Sequence, residues 1–332
     1  MIETISRSRL VALLQAGSEQ RVAVVGDAML DVYLRGEVSR ISPEAPVPVV
    51  RVLERKLALG GAANVAQNVL AIGAECELVA AIGSDREGVQ LQEMLERMDA
   101  DTRSLVTVDR PTTTKTRVLA RAQQVVRFDE EDDADIAGDD VRDIIGKTEA
   151  AIADADALVL QDYNKGVLTA GLIAAVMESA RSAKIPVVVD PKYRNFFAYR
   201  GATIFKPNRR ELEAAVGASV DLDHPEALPA VLSRLGVENL LLTLGEEGMA
   251  LIAADGEVGR VPTTAREVYD VVGAGDTVTA YLATMLAAGA TPAEAAVIAN
   301  FAAGIEVAKL GAATVSTDEV VEAYDLFGAT AA

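Results

Sequence analysis

Glu267-Val268-Tyr269-Asp270-Val271-Val272-Gly273-Ala274-Gly275-Asp276-Thr277 is the stretch on which the reading of this chain turns. Its β-branched opening reads as the end of a strand, Gly273-Ala274-Gly275 as a turn, and the Ala-rich run from Thr277 to Ala288 as a helix. A glycine turn feeding a helix start leaves several backbone N–H groups without carbonyl partners. They point, with the positive end of the helix dipole, at whatever lies in front, which makes an anion site. Asp276, in the first turn, stands where a carboxylate can take a proton from a substrate hydroxyl while the turn holds charge developing on a phosphoryl group. The competing account is structural: a tight turn, with Asp276 capping the helix. The stretch taken alone fits both.

Working outward, the chain alternates strand and helix patterns. Residues 3 to 16 read as an amphipathic helix with Ile5, Leu10, Leu13 and Leu14 near one face. Arg21 to Gly26 reads as a buried strand. Glu77 to Ile82, Ala157 to Gln161, Ile185 to Asp190, Thr203 to Phe205 and Leu240 to Thr243 read as further strands, with helices over Glu87 to Met98, Asp139 to Ala153 and Thr169 to Ala183. This succession predicts an α/β fold with a mostly parallel central sheet flanked by helices. No linker, low-complexity tract or repeat divides residues 1–332, so a single domain is expected.

Two segments, at about 33–56 and 110–129, break the pattern. The first carries three prolines in Ser42-Pro43-Glu44-Ala45-Pro46-Val47-Pro48, which suits an edge strand or protruding flap. The second holds two β-rich runs separated by Ala122-Gln123, a hairpin signal. Together they predict a small β lid whose strands invite pairing between subunits, a homodimer through the lid. Lys115, Arg117, Arg121 and Arg127 give the lid the densest positive charge of the chain, suited to an anionic substrate or simply to a solvated surface.

Open parallel sheets bind ligands beyond the carboxyl ends of their strands. Several strands here end in polar groups: Asp27 and Asp31 after the first, Asp162-Tyr163-Asn164-Lys165-Gly166, Asp190-Pro191-Lys192, and Lys206-Pro207-Asn208-Arg209-Arg210-Glu211. Asp27 and Asp31 both stand where a polyol could be held, with a turn-forming or helix-capping role as the competing account, one that suits Asp27 better than Asp31. Lysines at such ends can neutralise phosphate, and Asn208 and Glu211, one helical turn apart, suit a hydrated magnesium ion or an ordinary cap. Gly60-Gly61-Ala62-Ala63-Asn64 offers close backbone approach and an amide for sugar hydroxyls. Thr243, Gly245 and Gly248 can wrap nucleotide phosphates or turn a hairpin to Met249 to Ala253.

Composition removes other classes. A formal charge of -19 opposes a nucleic-acid partner. Cys76 is the single cysteine and His224 the single histidine, so disulfide scaffolds, cysteine metal sites, zinc centres and His-based triads are not expected. The acidic run Asp129 to Asp135 reads as a solvated loop. No signal peptide or membrane-spanning run is seen, and a cytoplasmic setting without membrane partners is expected. No Walker motif occurs, and no G-x-G-x-x-G follows the first strand, which leaves a dehydrogenase unsupported.

Gly60 to Asn64 and Asp270 to Thr277 together resemble the two signatures of the ribokinase-like, phosphofructokinase B superfamily of sugar kinases, and the resemblance covers nearly the whole chain. Within it the chain is most similar to the D-glycero-β-D-manno-heptose 7-phosphate kinases of ADP-heptose synthesis. That narrower likeness is carried by Ser39 to Val50, Thr114 to Arg127, Asp162 to Gly166, Asp190 to Lys192 and Glu267 to Val271. The resemblance implies ATP-dependent phosphorylation of an anomeric hydroxyl, with Asp276 as base and Gly273, Ala274 and Gly275 as the anion hole. It implies ATP-side positions at Lys192, Asn208, Arg209, Arg210, Glu211, Thr243, Gly245, Gly248 and Asn300, with Mg2+ near Asn208 and Glu211. A sugar side at Asp31, Gly60, Gly61 and Asn64 is implied likewise. The lid cations Lys115 and Arg117, with Lys165, are assigned to the sugar phosphate, and a monovalent cation such as K+ near Asp270 to Gly275 is expected as in some relatives. Val272 stands where the superfamily commonly has Thr, and Gln161 where the heptose kinases usually have Ser. Ending near Ala332, the chain reads as the stand-alone kinase without a cytidylyltransferase-like half. A kinase of another sugar, sugar phosphate or nucleoside, and a non-catalytic sugar-binding protein of the same fold, are the rival expectations.

Overall fold

The computed structural model describes residues 5–121, 123–265, 268–309 and 311–327. In chain order the elements are α1 (Arg7–Gly17), β1 (Arg21–Gly26), β2 (Ala28–Ile41), β3 (Pro48–Gly61), α2 (Ala62–Ile72), β4 (Glu75–Gly83), α3 (Arg86–Glu96), β5 (Leu105–Val108), β6 (Thr114–Ala120) and β7 (Gln123–Glu130). They continue with α4 (Asp139–Asp154), β8 (Ala157–Gln161), α5 (Ala170–Ala183), β9 (Val187–Asp190), β10 (Ile204–Phe205), α6 (Arg209–Val216), α7 (Leu228–Leu235), β11 (Asn239–Thr243), β12 (Met249–Ala253), β13 (Val258–Val261), α8 (Ala274–Ala287), α9 (Pro292–Glu306) and α10 (Thr317–Phe327).

The larger sheet has the order β13-β12-β11-β10-β9-β8-β1-β4-β5. From β11 to β5 every pairing is parallel, and β12 and β13 complete the edge antiparallel. Its carboxyl ends therefore share one rim. Alternation along the strands feeds two cores: Val22 and Val24 pack with α1, α2, α8 and α9, and Ala23 and Val25 with α4, α5 and α7. Burying each such Val or Leu contributes roughly 1.5–3 kcal/mol. Strand β5 was not foreseen; its four residues alternate half-buried and exposed with buried positions, a pattern too short to stand out.

A second sheet, β3-β2-β6-β7, is the expected lid. The Pro-rich stretch falls in its β2–β3 turn and at the start of β3, where a missing N–H costs little. Asp31 lies within β2 rather than just past β1, opposite Ala58 and Lys115. Ala122, in the expected hairpin turn, lies outside the described residues. The acidic run is only partly solvated loop: Asp129 and Glu130 belong to β7, and Glu131 accepts ion pairs from Lys115 and Lys165.

Residues 268–273 form a loop, not the strand expected there, and Glu267 lies outside the described residues. Val268 and Val271 are exposed, so no sheet neighbour rewards their β propensity. Tyr269 and Asp270 instead donate their N–H groups to the Val307 carbonyl at the end of α9. Helix α8 starts three residues earlier than the Ala-rich run suggests, at Ala274, and is buried without interruption from Asp276 to Met285. The hydroxyls of Thr279 and Thr284 donate to the carbonyls of Gly275 and Ala280 four residues back, which lets polar side chains sit in that core. Among the described residues no helix is long and apolar enough to cross a membrane.

Candidate active site

The buried helix α8 aims its N-terminus at the rim of the large sheet. Gly273 caps it at φ 101, a left-handed conformation. A Cβ there would lie 3.1 Å from both Asn64 Nδ2 and Glu306 Oε1, so glycine is required by conformation and by space. Helix geometry leaves the N–H groups of Ala274, Gly275 and Asp276 without intrahelical acceptors. A Cβ on Gly275 would face Lys206 Nζ at 3.6 Å and Asp190 Oδ2 at 3.9 Å, which sets the turn against the ends of β9 and β10.

Asp276 is buried at this turn and gathers donors from distant parts of the chain. Its Oδ2 accepts from Asn64 Nδ2 at 2.7 Å, and its Oδ1 from Gln161 Nε2 at 2.8 Å and from the Tyr163 hydroxyl at 3.0 Å. Burial pushes its carboxyl up to about 7; Asp190 pushes the same way, while the Asn64 and Tyr163 bonds and Lys206 oppose it. A carboxylate poised near neutrality is suited to general-base work. Burial, with Asp276 adding to it, holds the Tyr163 phenol well above its ordinary value, so Tyr163 remains a donor.

Asn64, expected to meet sugar hydroxyls, is committed to protein partners: its amide holds Asp276, and its Oδ1 accepts from Gln67 at 2.6 Å and Asn68 at 3.3 Å. Gly60 and Gly61 are likewise taken up by packing. A Cβ on Gly60 would meet Met29 at 2.8 Å and Asp31 Oδ2 at 3.0 Å, and one on Gly61 the Asp27 carbonyl at 2.3 Å. Asp27 accepts backbone N–H groups of Tyr163, Lys165 and Val167, which fixes the loop after β8 in the turn-forming role read for it.

On the opposite flank, Lys206 pairs with Asp190 at 2.9 Å. Lys192 bonds Glu211 and lies 5.4 Å from the Tyr163 ring centroid. Burial alone would lower its ammonium, but Asp190 and Glu211 outweigh that and hold it raised. Asn208 and Glu211 close a capping box at α6: Asn208 Oδ1 accepts from the Glu211 N–H and Glu211 Oε2 from the Asn208 N–H, each at 2.9 Å. Arg209 reaches Glu247 at 3.3 Å and Arg210 is exposed. Thr243 ends β11 and Gly248 opens the hairpin to β12, with Gly245 exposed in the turn between them at φ 64. Asn300 donates to the Pro262 carbonyl, beside a cavity of about 430 Å³ lined by Thr264, Phe301, Gly304, Ile305 and Phe327.

Three of the lid cations, Lys115, Arg117 and Arg127, are paired, and Arg121 is exposed. Arg117 bonds Asp31 and lies over the Tyr33 ring, Arg127 pairs with Asp129 at 2.6 Å, and Lys115 and Lys165 share Glu131 at 3.3 and 2.7 Å. Sequence reasoning placed Lys115, Arg117 and Arg127 in the lid and Lys165 after a strand, but it read Asp31 as a polyol ligand and the run from Asp129 as a solvated loop, not as partners of these cations. It also passed over Gln161, Tyr163 and Lys206 as neighbours of Asp276.

The sequence model of the family described as "pfkB family carbohydrate kinase" matches residues 19–319. The chain belongs to the pfkB family of carbohydrate kinases. Bifunctional protein HldE of Trichlorobacter lovleyi is 45% identical over 323 residues, 96% of this chain and 66% of that protein. HldE of Azorhizobium caulinodans is 47% identical over 308 residues, 92% and 64%. The chain thus spans less than two thirds of the length of these curated relatives. Among solved structures, Arabidopsis thaliana ribokinase complexed with ribose and ATP superposes with a TM-score of 0.72 at 20% identity, covering 92% of this chain and 98% of that one. Phosphofructokinase-2 of Escherichia coli in complex with potassium gives 0.75 at 19%, covering 93% and 98%. These likenesses show the ribokinase-like fold of this pfkB kinase.

Proposed function

We propose that this pfkB kinase, as one catalytic domain in the cytoplasm, transfers the terminal phosphoryl group of ATP to the anomeric hydroxyl of D-glycero-β-D-manno-heptose 7-phosphate, giving the 1,7-bisphosphate for ADP-heptose synthesis. The observation that carries the reading is the buried Asp276 carboxyl beside the N–H groups of Ala274 and Gly275. In this reading Asp276 takes the hydroxyl proton, the turn stabilises charge on the transferring group, and Lys192 and Lys206 balance the phosphates. The cavity beside Asn300 suits a flat base such as adenine.

Magnesium would be held through water by Asn208 and Glu211, and when bound with ATP it would supply positive charge that offsets the phosphates. The donor set fits a hydrated ion: Glu211 already accepts from Asn208 and Lys192 and keeps remaining lone pairs for water. A potassium ion near Asp270 to Gly275 and a dimer through the lid belong to the same reading. The lid's exposed Ile41, Leu53, Val126 and Phe128 support the dimer.

Agreement with the heptose 7-phosphate kinases in the lid supports the sugar assignment. A second reading, a kinase of an unphosphorylated sugar, is favoured by one observation: the four cations Lys115, Arg117, Arg127 and Lys165 are paired with the three acids Asp31, Asp129 and Glu131, which leaves them one net positive charge for a distal phosphate. ADP release measured with heptose 7-phosphate, ribose, fructose 6-phosphate and adenosine decides between them. Preference for heptose 7-phosphate is expected, and preference for ribose or adenosine would defeat the heptose-phosphate reading.

A further inference from the structure

We propose that Gln161 is a positioning residue that ties the phosphate-side ion pair Lys206–Asp190 to the Asp276 carboxylate, so that the two flanks of the site act as one unit. The inference rests on Asp276 being the base of the proposed reaction. Gln161 ends the central strand β8 and is fully buried. A primary amide has two N–H bonds, and here both are used on carboxylates: one on Asp276 Oδ1 at 2.8 Å, one on Asp190 Oδ2 at 3.1 Å. Lys206 Nζ reaches that same Asp190 oxygen at 2.9 Å. Among the described residues the amide oxygen has no hydrogen-bond partner. A buried acceptor without a donor costs stability, so the side chain is not there to satisfy its own oxygen. Turning the amide over would set that oxygen against two carboxylates, so the donor orientation is the only favourable one.

The consequence is electrostatic. Asp276 faces Tyr163 from the loop after β8, Asp190 from the end of β9, Lys206 from the end of β10, and Glu306 from α9. With Lys206 on Asp190, the negative charge beside the base is balanced. When Lys206 turns to ATP phosphate oxygens, Asp190 is left less balanced and Asp276 becomes a stronger proton acceptor. Gln161 holds both acids in place through that change and keeps the base from drifting toward the lysine. No bond is made or broken in this step; only the proton affinity of Asp276 moves.

The test uses the whole chain with whichever sugar of the panel above the native protein turns over. The full pH profile of kcat/KM is recorded for native protein, Gln161→Met, Gln161→Ser and Asp190→Asn, with Asp276→Asn as the control for the base. Losing a donor to the carboxylate raises its proton affinity, so Gln161→Met is expected to lower kcat about ten- to a hundredfold, to change both KM values less than about threefold, and to move the ascending limb to higher pH. Asp190→Asn removes the neighbouring negative charge and is expected to move the limb the other way. Gln161→Ser is too short to span the two acids and gives the direction for Gln161 should the methionine variant not fold. A loss of turnover with the limb unmoved, or an Asp190→Asn limb at unchanged or higher pH, overturns the proposal. If instead Asp276→Asn keeps near-native turnover, it is the assignment of the base that has failed, and the two failures are told apart.

Discussion

Asn64 and Asp276, 212 residues apart in sequence, meet at 2.7 Å through the Asn64 amide and Asp276 Oδ2. They join the two signature segments at one atom pair. Replacing Asn64 by Leu leaves Asp276 Oδ2 and the Gln67 amide without their partners inside the core. Unfolding by urea should show a loss of about 1–3 kcal/mol, and turnover should fall with it. Native-like stability in the variant would show that the bond contributes little.

The Asp276 carboxyl must be ionised to take a proton. Because burial places it at about 7, activity should rise with pH through a midpoint near that value. Asp276→Asn should lower kcat by roughly 10² to 10⁴ and leave ATP affinity, read by calorimetry, nearly unchanged. A flat profile between pH 5.5 and 8 would contradict the assignment.

The two glycines of the turn should separate stability from chemistry. Gly273→Ala forces a side chain into left-handed backbone and against Asn64 and Glu306, at a cost of about 1–3 kcal/mol in thermal or urea unfolding. Gly275→Ala meets only ordinary contact distances, so its Tm should hold. Its methyl group points toward Lys206 and Asp190, where the phosphoryl group is proposed to pass, and turnover should drop. Equal stability losses in the two variants would rule out this distinction.

Glu306, fully buried on the last turn of α9, makes no well-aligned hydrogen bond through either carboxyl oxygen among the described residues, although the Ala313 N–H lies close enough to favour its charged form. Burial first, then Asp270 and Asp276, push its carboxyl up to about 8. The folded chain therefore keeps a proton between about pH 4.5 and 8 that the unfolded chain has lost. Stability falls as pH rises through that window, by at most about 1.4 kcal/mol per unit. Glu306→Gln should flatten this slope and raise Tm at pH 8; a slope unchanged by the substitution would refute the account.

Much of the fold was legible in the sequence. The apolar runs at Val22 to Val25, Leu158 to Leu160 and Val187 to Val189 can only be central strands, and the glycine turn at Gly273 to Gly275 announces a helix start whatever surrounds it. These are local signals, set by periodicity and by the conformations glycine allows. Where a local signal lacked a tertiary partner it misled: Val268 to Val272 has strand composition, yet the sheet has no place for it and α9 takes its N–H groups.

The site divides along the same line. Sequence by itself determined which chemical groups follow the strands, that a glycine turn precedes a helix, and that Asp276 follows it. Only the tertiary structure decided that Asn64, Gln161 and Tyr163 close on that acid, that Lys206 and Asp190 flank it, and that Lys115, Arg117 and Arg127 of the lid are already paired. The physical reason is that burial and charge pairing depend on which distant segments the folded chain brings within about 3 Å. A proton affinity near neutrality is a property of that enclosure and is not carried by the aspartate alone.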